Sequence, residues 1–310
     1  MAKVVVLADG IKLSRAAGGN KAPAIRGKAK GWTAAVARRN TSFLMAVDAG
    51  ALSGVGVSAT LTIGRDGPPV SPKMFEGWRR SLIERLRRMG LVRLHWVLEF
   101  QRSGAPHLHL MAYFQRGDAR GLSDTVKSHW LQIVEPTGAA IWSQHAVPVT
   151  SPLGWKQYLA KHGSRGAAHY QRSVLPAGWE EPGRMWGKSG EWPSIAAEFE
   201  TDDAALNWLR RRVRAWRLAD ARQALARARE RGDERAAAVA VRRIVSARHM
   251  LRCGSETASH CRGATEWLPR SLSARLLAHV QQCGGLVRDW SDRGTVPQSP
   301  PGGRSRQEGL

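Results

Sequence analysis

Cysteine is scarce in this 310-residue chain. Its three cysteines, Cys253, Cys261 and Cys283, all lie late in the sequence, and their odd number excludes a fully paired disulfide framework. No Cys-x-x-Cys pair accompanies His249 and His260, so a zinc site of the usual spacing is not indicated. We therefore expect reduced thiols.

The sequence also lacks a long apolar run. No segment approaches the roughly 20 apolar residues that a membrane-spanning helix needs, and the charge-poor stretch 49–64 is rich in Gly, Ser and Thr. The apolar start MAKVVVLADG is interrupted at once by IKLSR, which is too early for a signal peptide. We expect a cytoplasmic protein with no membrane partner.

Acidic residues are few relative to basic ones. The chain has 48 Lys and Arg against 25 Asp and Glu, a formal net charge of +23 and a pI near 11.3. Such a surface favours a polyanionic partner and a salt-dependent attraction to phosphates. The alternative is that the Arg and Ala content only reflects a high-GC bacterial coding sequence. Nucleic acid is the default partner.

The chain divides into four regions of different texture. Residues 1–55 are basic and rich in Gly and Ala, with one helix-like piece from Trp32 to Asp48, and are interpreted as an N-terminal arm or helix. Residues 56–195 carry strand and helix patterns. Residues 196–290 are rich in Ala and Arg and predict a helical extension, either a solvated hairpin or a surface for DNA or a partner. Residues 291–310 have no periodicity and are predicted to be disordered.

Residues 56–195 predict an α+β fold, with an antiparallel β-sheet and helices packed on one face. We expect the other face to be free for a ligand. The predicted elements are a strand at Gly56–Gly64, a helix between Ser71 and Gly90, two strands joined at RSGA, a helix from an N-cap at Ser123 to Pro136, a strand at Ala140–Val149 and a short helix between Ser151 and Gly163.

The stretch HWVLEFQRSGAPHLHLMAYF, residues 95–114, carries two histidines one residue apart. Side chains alternate along a strand, so His107 and His109 project from the same face and can grip one ion. Glu99 lies on the preceding strand, and the residue count of the turn decides whether it shares that face.

An odd count in the turn places Glu99 opposite one of the two histidines, and an even count turns it away. Gly104 favours the odd count, because a three-residue loop with Gly in the left-handed position is a standard hairpin. A five-residue loop ending at Pro106 would serve as well. Glu99 is therefore expected to join His107 and His109.

Two neutral imidazoles and one carboxylate leave coordination positions open, which is typical of a catalytic rather than a structural metal. By ligand type Zn, Fe(II), Mn and Mg all remain possible. A two-His-one-carboxylate iron oxygenase is one alternative.

The sequence contains three tyrosines, Tyr113, Tyr158 and Tyr170. Tyr113 lies on the histidines' strand face, whereas Tyr158 lies in the short helix with Lys161 on the same helical face. A phenol with a pKa of about 10 is a weak nucleophile unless a cation lowers the cost of its ionisation. Lys161 can help to supply that charge, or hold a phosphate.

Three segments occur in the order of the three motifs of the HUH endonucleases. They are TLT (Thr60–Thr62), EFQRSGAPHLHL (Glu99–Leu110) and YLAK (Tyr158–Lys161). The chain resembles the rolling-circle replication initiators of small bacterial plasmids and filamentous phages. The resemblance covers roughly Gly56 to Pro193, including the later GRMWGKSGEWP.

The resemblance implies a ferredoxin- or RRM-like sheet and an origin-specific DNA nickase of the bacterial host's cytoplasm. It implies Mg²⁺ or Mn²⁺ held by His107, His109 and Glu99. Gln101, one pleat from Glu99, would contact the metal or its water. Tyr158 would be the nucleophile that forms a 5′-phosphotyrosine bond, assisted by Lys161, and host helicase and polymerase would act with the protein.

The tyrosine follows the histidines here, as in replication initiators and single-tyrosine transposases and unlike conjugative relaxases. The transposases are shorter and lack an Arg/Ala extension, so the initiator is preferred. No Tyr-x-x-x-Tyr pair is present, so a second strand transfer would need a second subunit, an activated water or Tyr170. The alternatives are a single-tyrosine transposase or relaxase and a non-catalytic module that binds single-stranded nucleic acid.

Overall fold

The computed structural model describes residues 2–15, 31–64, 67–156, 175–249, 264–282 and 288–289. Their contacts divide the chain into two units: Met1–Val6, Ile11–Ala16 and Ile195–Leu310 form one, and Leu7–Gly10 with Ala17–Ser194 form the other. The elements are β1 (Ala2–Leu7), β2 (Gly10–Arg15), α1 (Ala34–Ala46), β3 (Val55–Thr62), α2 (Pro72–Arg88), β4 (Leu91–Phe100), β5 (Pro106–Phe114), α3 (Ala119–Ile133), β6 (His145–Pro148), β7 (Trp186–Ser189), β8 (Ala196–Thr201), α4 (Asp203–Glu230), α5 (Glu234–His249), β9 (Ala264–Trp267), α6 (Arg270–Gln282) and β10 (Arg288–Asp289).

The unit around Ala17–Ser194 contains an antiparallel sheet of strand order β6-β3-β5-β4-β7. The alternation predicted for its central strand is confirmed, since Val57, Ala59 and Leu61 are buried. Helices α2 and α3 pack on this face, where the rings of Phe75 and Trp130 meet at 5.8 Å. The predicted α+β class with an antiparallel sheet is therefore confirmed.

The expectation that the opposite sheet face is free is wrong for about half of that face. Phe43 of α1 packs its ring 5.3 Å from His95 and 5.5 Å from Trp192. Val47, Met111, Tyr113 and Trp192 form a buried cluster there. The reason is apolar side chains on the face itself, which need a cover. The other half of the face carries the histidines.

Two element boundaries differ from the sequence prediction. Asp118, not Ser123, caps α3, because its carboxylate accepts a hydrogen bond from the Gly121 N–H at 2.6 Å. The strand predicted at Ala140–Val149 is only β6, since residues Ile141–Ser143 form a 3₁₀ turn.

The other unit contains a second sheet, of strand order β10-β8-β1-β2-β9. Its core includes Val4, Val6, Ile11 and Leu13 packed with Phe199. The sequence interpretation placed an arm at residues 1–55 and only helices at 196–290, so these strands were missed. The predicted domain boundaries stay a prediction.

The helical prediction for the Ala- and Arg-rich segment is confirmed by α4 and α5, which pack against each other. The turn between them includes Gly232, with φ +65°. An ion pair joins Asp220 of α4 to Arg243 of α5. Across the described ranges, no helix is both long and apolar enough to cross a membrane.

The β4–β5 turn has the predicted odd residue count. Phe100 pairs with Pro106, so residues 101–105 form a five-residue loop, and Glu99 pairs with His107. The Gln101 N–H donates to the Ala105 carbonyl at 2.9 Å, and the Gly104 N–H donates to the Gln101 carbonyl at 2.9 Å. Gly104 has φ +84°, which is the left-handed conformation that the sequence predicted.

We expect Gly104→Ala to lower the free energy of unfolding by about 1–2 kcal/mol, because an L side chain is strained at positive φ. The added Cβ would lie 3.4 Å from the Pro176 Cβ, which is an ordinary contact, so the cost is in the backbone. Gly77→Ala is the matched control: Gly77 lies in α2 with no atom within 4 Å of an added Cβ, and we expect a gain of about 0.5–1 kcal/mol. Urea denaturation measures both, and a Gly104→Ala protein as stable as the parent would contradict the strain.

Candidate functional site

Three central strands bring the motif residues to one end of one sheet face. Across β4, β5 and β3, Glu99 pairs with His107 and His107 pairs with Thr62. One pleat further in, His109 pairs with Thr60. Paired residues of neighbouring strands project from the same face, so the glutamate, both histidines and both threonines share one surface.

His109 and Glu99 are in direct electrostatic contact. The His109 Nε2 lies 3.4 Å from the Glu99 Oε2, and the two side chains are 1% and 0% exposed. This separation exceeds the roughly 2.9–3.0 Å typical of an N–H···O hydrogen bond. A carboxylate so deeply buried needs partners that compensate its lost hydration.

Thr60 fixes the other nitrogen of the same imidazole. Its Oγ1 lies 3.1 Å from the His109 Nδ1. A hydroxyl can accept the Nδ1 proton, and in that tautomer the Nε2 lone pair faces the Glu99 carboxylate. Thr60 is therefore a residue of this site whose role the sequence did not predict, although TLT was recognised as a motif.

His107 lies beside His109, with ring centroids 4.5 Å apart and an interplanar angle of 74°. Its Nδ1 is 3.3 Å from the Nε2 of Gln101, so the structure places Gln101 against the imidazole of His107. Among the described residues, no three His, Cys, Asp or Glu side chains converge closely enough to hold an ion as they stand. The structure brings together the His109–Glu99 pair with His107 next to it.

The end of β3 at this site is held by polar contacts. The Thr62 N–H donates to the Gln144 Oε1 at 2.9 Å, and the Thr62 hydroxyl donates to the Ser143 carbonyl at 3.2 Å. Trp130 of α3 donates its indole N–H to the Thr62 carbonyl at 2.7 Å. The sequence did not predict these contacts, because Ser143 and Gln144 were assigned to a continuous strand.

Tyr113, on the same strand face, lies at the apolar end of the sheet. Burial raises the pKa of Tyr113 to about 12, although the nearby Arg93 acts in the opposite direction. The phenol is 3% exposed and its ring lies 6.0 Å from Trp192. Tyr113 is therefore a core residue that stays protonated at neutral pH.

His95 is a fully buried histidine on the same face as Glu99. Burial, with a smaller contribution from His109, lowers the pKa of His95 to about 3. Its Nε2 lies 2.8 Å from the Asn40 Oδ1 of α1. A neutral imidazole that donates to this amide adds no positive charge near His109.

Tyr158 and Lys161 lie outside the described residues, so their roles stay predictions. The helix predicted for them begins as expected: the Gly154 N–H donates to the Ser151 hydroxyl at 3.0 Å, and residues 152–156 are helical. Pro152 follows the cap, at the position that tolerates a missing N–H.

A buried lysine, Lys156, lies two residues before Tyr158. It is 0% exposed, and its ammonium group contacts the Asp9 carboxylate and the Val47 carbonyl. Lys156 and Asp9 are 147 positions apart in the chain. The start of the predicted tyrosine helix is thus anchored by an ion pair that no local pattern could predict.

Comparison with known proteins gives a consistent result. Residues 57–166 match the family of replication-associated proteins that is named for ORF2 and the phage gene 2 protein. The chain is 39% identical over 258 residues to the replication-associated gene 2 protein of Pseudomonas phage Pf3, covering 82% of this chain and 87% of that protein. No solved structure matches it.

Two proteins of Xylella fastidiosa, each named as a putative replication protein, are similar to the same extent. The one from strain 9a5c is 37% identical over 272 residues, covering 84% of this chain and 90% of that protein. The one from strain Temecula1 is 39% identical over 253 residues, covering 78% of this chain and 89% of that protein.

The α+β sheet, its histidine-bearing hairpin and these similarities define a protein of the replication-associated class. More narrowly, the chain belongs to the family of ORF2 and the phage gene 2 protein. The resemblance to phage and plasmid replication initiators that the sequence indicated is confirmed at the level of the family.

We expect Lys156→Met to lower the free energy of unfolding by about 3–5 kcal/mol, because it leaves the Asp9 carboxylate buried without its counter-charge. The double variant Lys156→Met/Asp9→Leu should recover most of that loss, since an apolar pair removes both charges. The control is Arg80→Met, which breaks an exposed pair with Glu76 at 2.6 Å and should cost less than about 1 kcal/mol. Urea denaturation compares them, and equal losses for the Lys156 and Arg80 variants would contradict the anchoring role.

Proposed function

We propose that this protein initiates replication by nicking and rejoining one strand of origin DNA, with the metal-dependent tyrosine chemistry of the HUH endonucleases. The observation that carries the proposal is the register of the β4–β5 hairpin, which buries Glu99 against His109 beside His107. The membership of a replication-associated family supports a role in replication.

A divalent cation, Mg²⁺ or Mn²⁺, would be held by His107, His109 and Glu99. The donor set fits such an ion because a carboxylate and a deprotonated Nε2 at 3.4 Å repel each other unless a cation lies near both. Thr60 favours that state, since its hydroxyl can take the Nδ1 proton of His109. When bound, the cation supplies electrostatic stabilisation to the scissile phosphate.

Gln101 would position His107 rather than act on the metal. Rotation of its side-chain amide by half a turn presents Oε1 to the Nδ1–H of His107, which leaves the opposite nitrogen of the ring for a ligand. The contact at 3.3 Å supports this assignment.

The strand transfer would be carried out by Tyr158. Its phenolic oxygen forms a bond to phosphorus as the bond from phosphorus to the 3′-oxygen breaks, and the phenolic proton is lost as the 3′-oxygen gains one. The products are a free 3′-hydroxyl and a 5′-phosphotyrosine bond. Lys161 would stabilise the phenolate or the phosphate charge, and host helicase and polymerase would extend from the free 3′-end.

The excess of basic residues supports DNA as the substrate. A net charge of +23 attracts the phosphate backbone independently of sequence. It does not by itself distinguish a nickase from a non-catalytic module that binds single strands, so the proposed chemistry needs a covalent readout.

We expect Tyr158→Phe to abolish a denaturation-resistant protein–DNA adduct, because it removes the nucleophilic oxygen. The assay incubates the protein with Mn²⁺ and a labelled single strand that carries the origin, followed by a denaturing gel. Tyr113→Phe is the matched control and should form the adduct as the parent does, since Tyr113 is buried in an apolar cluster. An adduct that persists in Tyr158→Phe would assign the nucleophile elsewhere, with Tyr170 the next candidate. Binding without any adduct would favour the non-catalytic module.

Mn²⁺ binding, followed by electron paramagnetic resonance, tests the metal site without DNA. Glu99→Gln and His109→Gln should each abolish binding, because each removes a ligand. Thr60→Val should weaken binding about 10–100-fold through the lost orientation of His109, whereas Thr60→Ser keeps the hydroxyl and should not. His129→Gln, on α3, is the control. Unchanged Mn²⁺ affinity in Glu99→Gln would refute the proposed ligand set.

A further inference from the structure

Trp142 is the most exposed of the large hydrophobic side chains in the described ranges. It is 86% exposed, and its neighbour Ile141 is 55% exposed. A single exposed apolar residue needs no explanation. An almost fully exposed indole beside a second exposed apolar side chain, next to a candidate active site, does need one.

The backbone that carries Trp142 is held in place. In the 3₁₀ turn Ile141–Ser143, the Ser143 and Gln144 N–H groups donate to the Ala140 and Ile141 carbonyls, both at 3.1 Å. The Ser143 hydroxyl and the Gln144 amide also donate to the Ala140 carbonyl, at 2.7 Å and 3.2 Å. The indole is therefore presented by a braced turn.

The same turn is bonded directly to the strand next to His107. Ser143 accepts from the Thr62 hydroxyl at 3.2 Å, and Gln144 accepts from the Thr62 N–H at 2.9 Å. Thr62 pairs with His107. Because neighbouring strands lie about 5 Å apart, the backbone of Trp142 is on the order of 10 Å from that of His107.

We propose that Trp142, with Ile141 beside it, is a stacking site for an unpaired base of single-stranded DNA that flanks the scissile phosphate. The proposal rests on the proposed function for the location of that phosphate. An exposed indole offers a flat π-surface on which any base can stack. The chain's charge of +23 supplies the complementary attraction to the backbone of the same strand.

A protein partner fits this surface less well. A stable protein interface buries roughly 800 Å² on each side around an apolar centre. Here the apolar part is two side chains, followed at once in the chain by the polar residues Ser143, Gln144 and His145. Base stacking needs only the area of one ring.

The test is the affinity of the full chain for two fluorescein-labelled oligonucleotides, measured by anisotropy in EDTA. One is homothymidine, and the other is an abasic backbone of the same length and charge. The parent should prefer homothymidine. Trp142→Ala should lose that preference, with an affinity for homothymidine about 5- to 150-fold weaker, as for one lost base–aromatic stack. Trp142→Phe should restore most of it.

Two further measurements separate stacking from other effects. The salt dependence of binding should be unchanged in Trp142→Ala, because no phosphate contact is lost. Val92→Ala is the control: Val92 is 41% exposed at the end of β4 remote from Glu99, and this variant should bind as the parent does.

The outcomes distinguish this inference from the proposed function. If Trp142→Ala keeps the parent's preference for homothymidine, the stacking site is refuted, whether or not the parent forms the covalent adduct. If the preference is lost but the parent forms no adduct on any origin strand, the stacking site stands and the nickase chemistry fails.

Discussion

The candidate site depends on the number of residues in one turn. Side chains alternate faces along a strand, so a change of one residue between Phe100 and Pro106 would move Glu99 away from the histidines. The five-residue turn, with Gly104 at φ +84°, keeps Glu99 opposite His107. Once that register is set, Thr60 follows on the neighbouring strand, and the contacts of Thr62 with Gln144 and Trp130 keep β3 in place.

Burial gives the two halves of this sheet face different chemistry. At one half, apolar packing around Tyr113 raises the cost of ionising its phenol. At the other half, the buried carboxylate of Glu99 lies against an imidazole. The same sheet therefore offers one phenol that remains neutral and one carboxylate whose charge favours a cation, although both lie in the same alternating pattern of sequence. This difference comes from α1, which covers only the first half.

Local pattern was enough to predict the parts of the fold that local physics determines. The alternation of β3, the cap and length of α2, the odd turn at Gly104 and the helices of the Arg- and Ala-rich segment were all predicted. Contacts between distant residues were not: the Asp9–Lys156 ion pair, the cover that α1 provides, and the sheet that joins β1 to β8 all link residues far apart in the chain. Ser123 was mistaken for a cap because Asp118, five residues earlier, supplies the same hydrogen-bond chemistry.

The second sheet has a consequence for synthesis. Strands β1 and β2 are made first, but their neighbours β8 and β9 come from residues 196 onward. During translation the apolar strand VVVL therefore emerges long before the strand beside which it finally lies, a topology of high contact order that slows folding and prolongs exposure of an unpaired edge. The histidine-bearing sheet draws its strands from Val55–Ser189 alone, so every strand beside the candidate site is available while the second sheet is still incomplete. In a growing chain, the histidine-bearing sheet can thus mature before the terminal sheet closes.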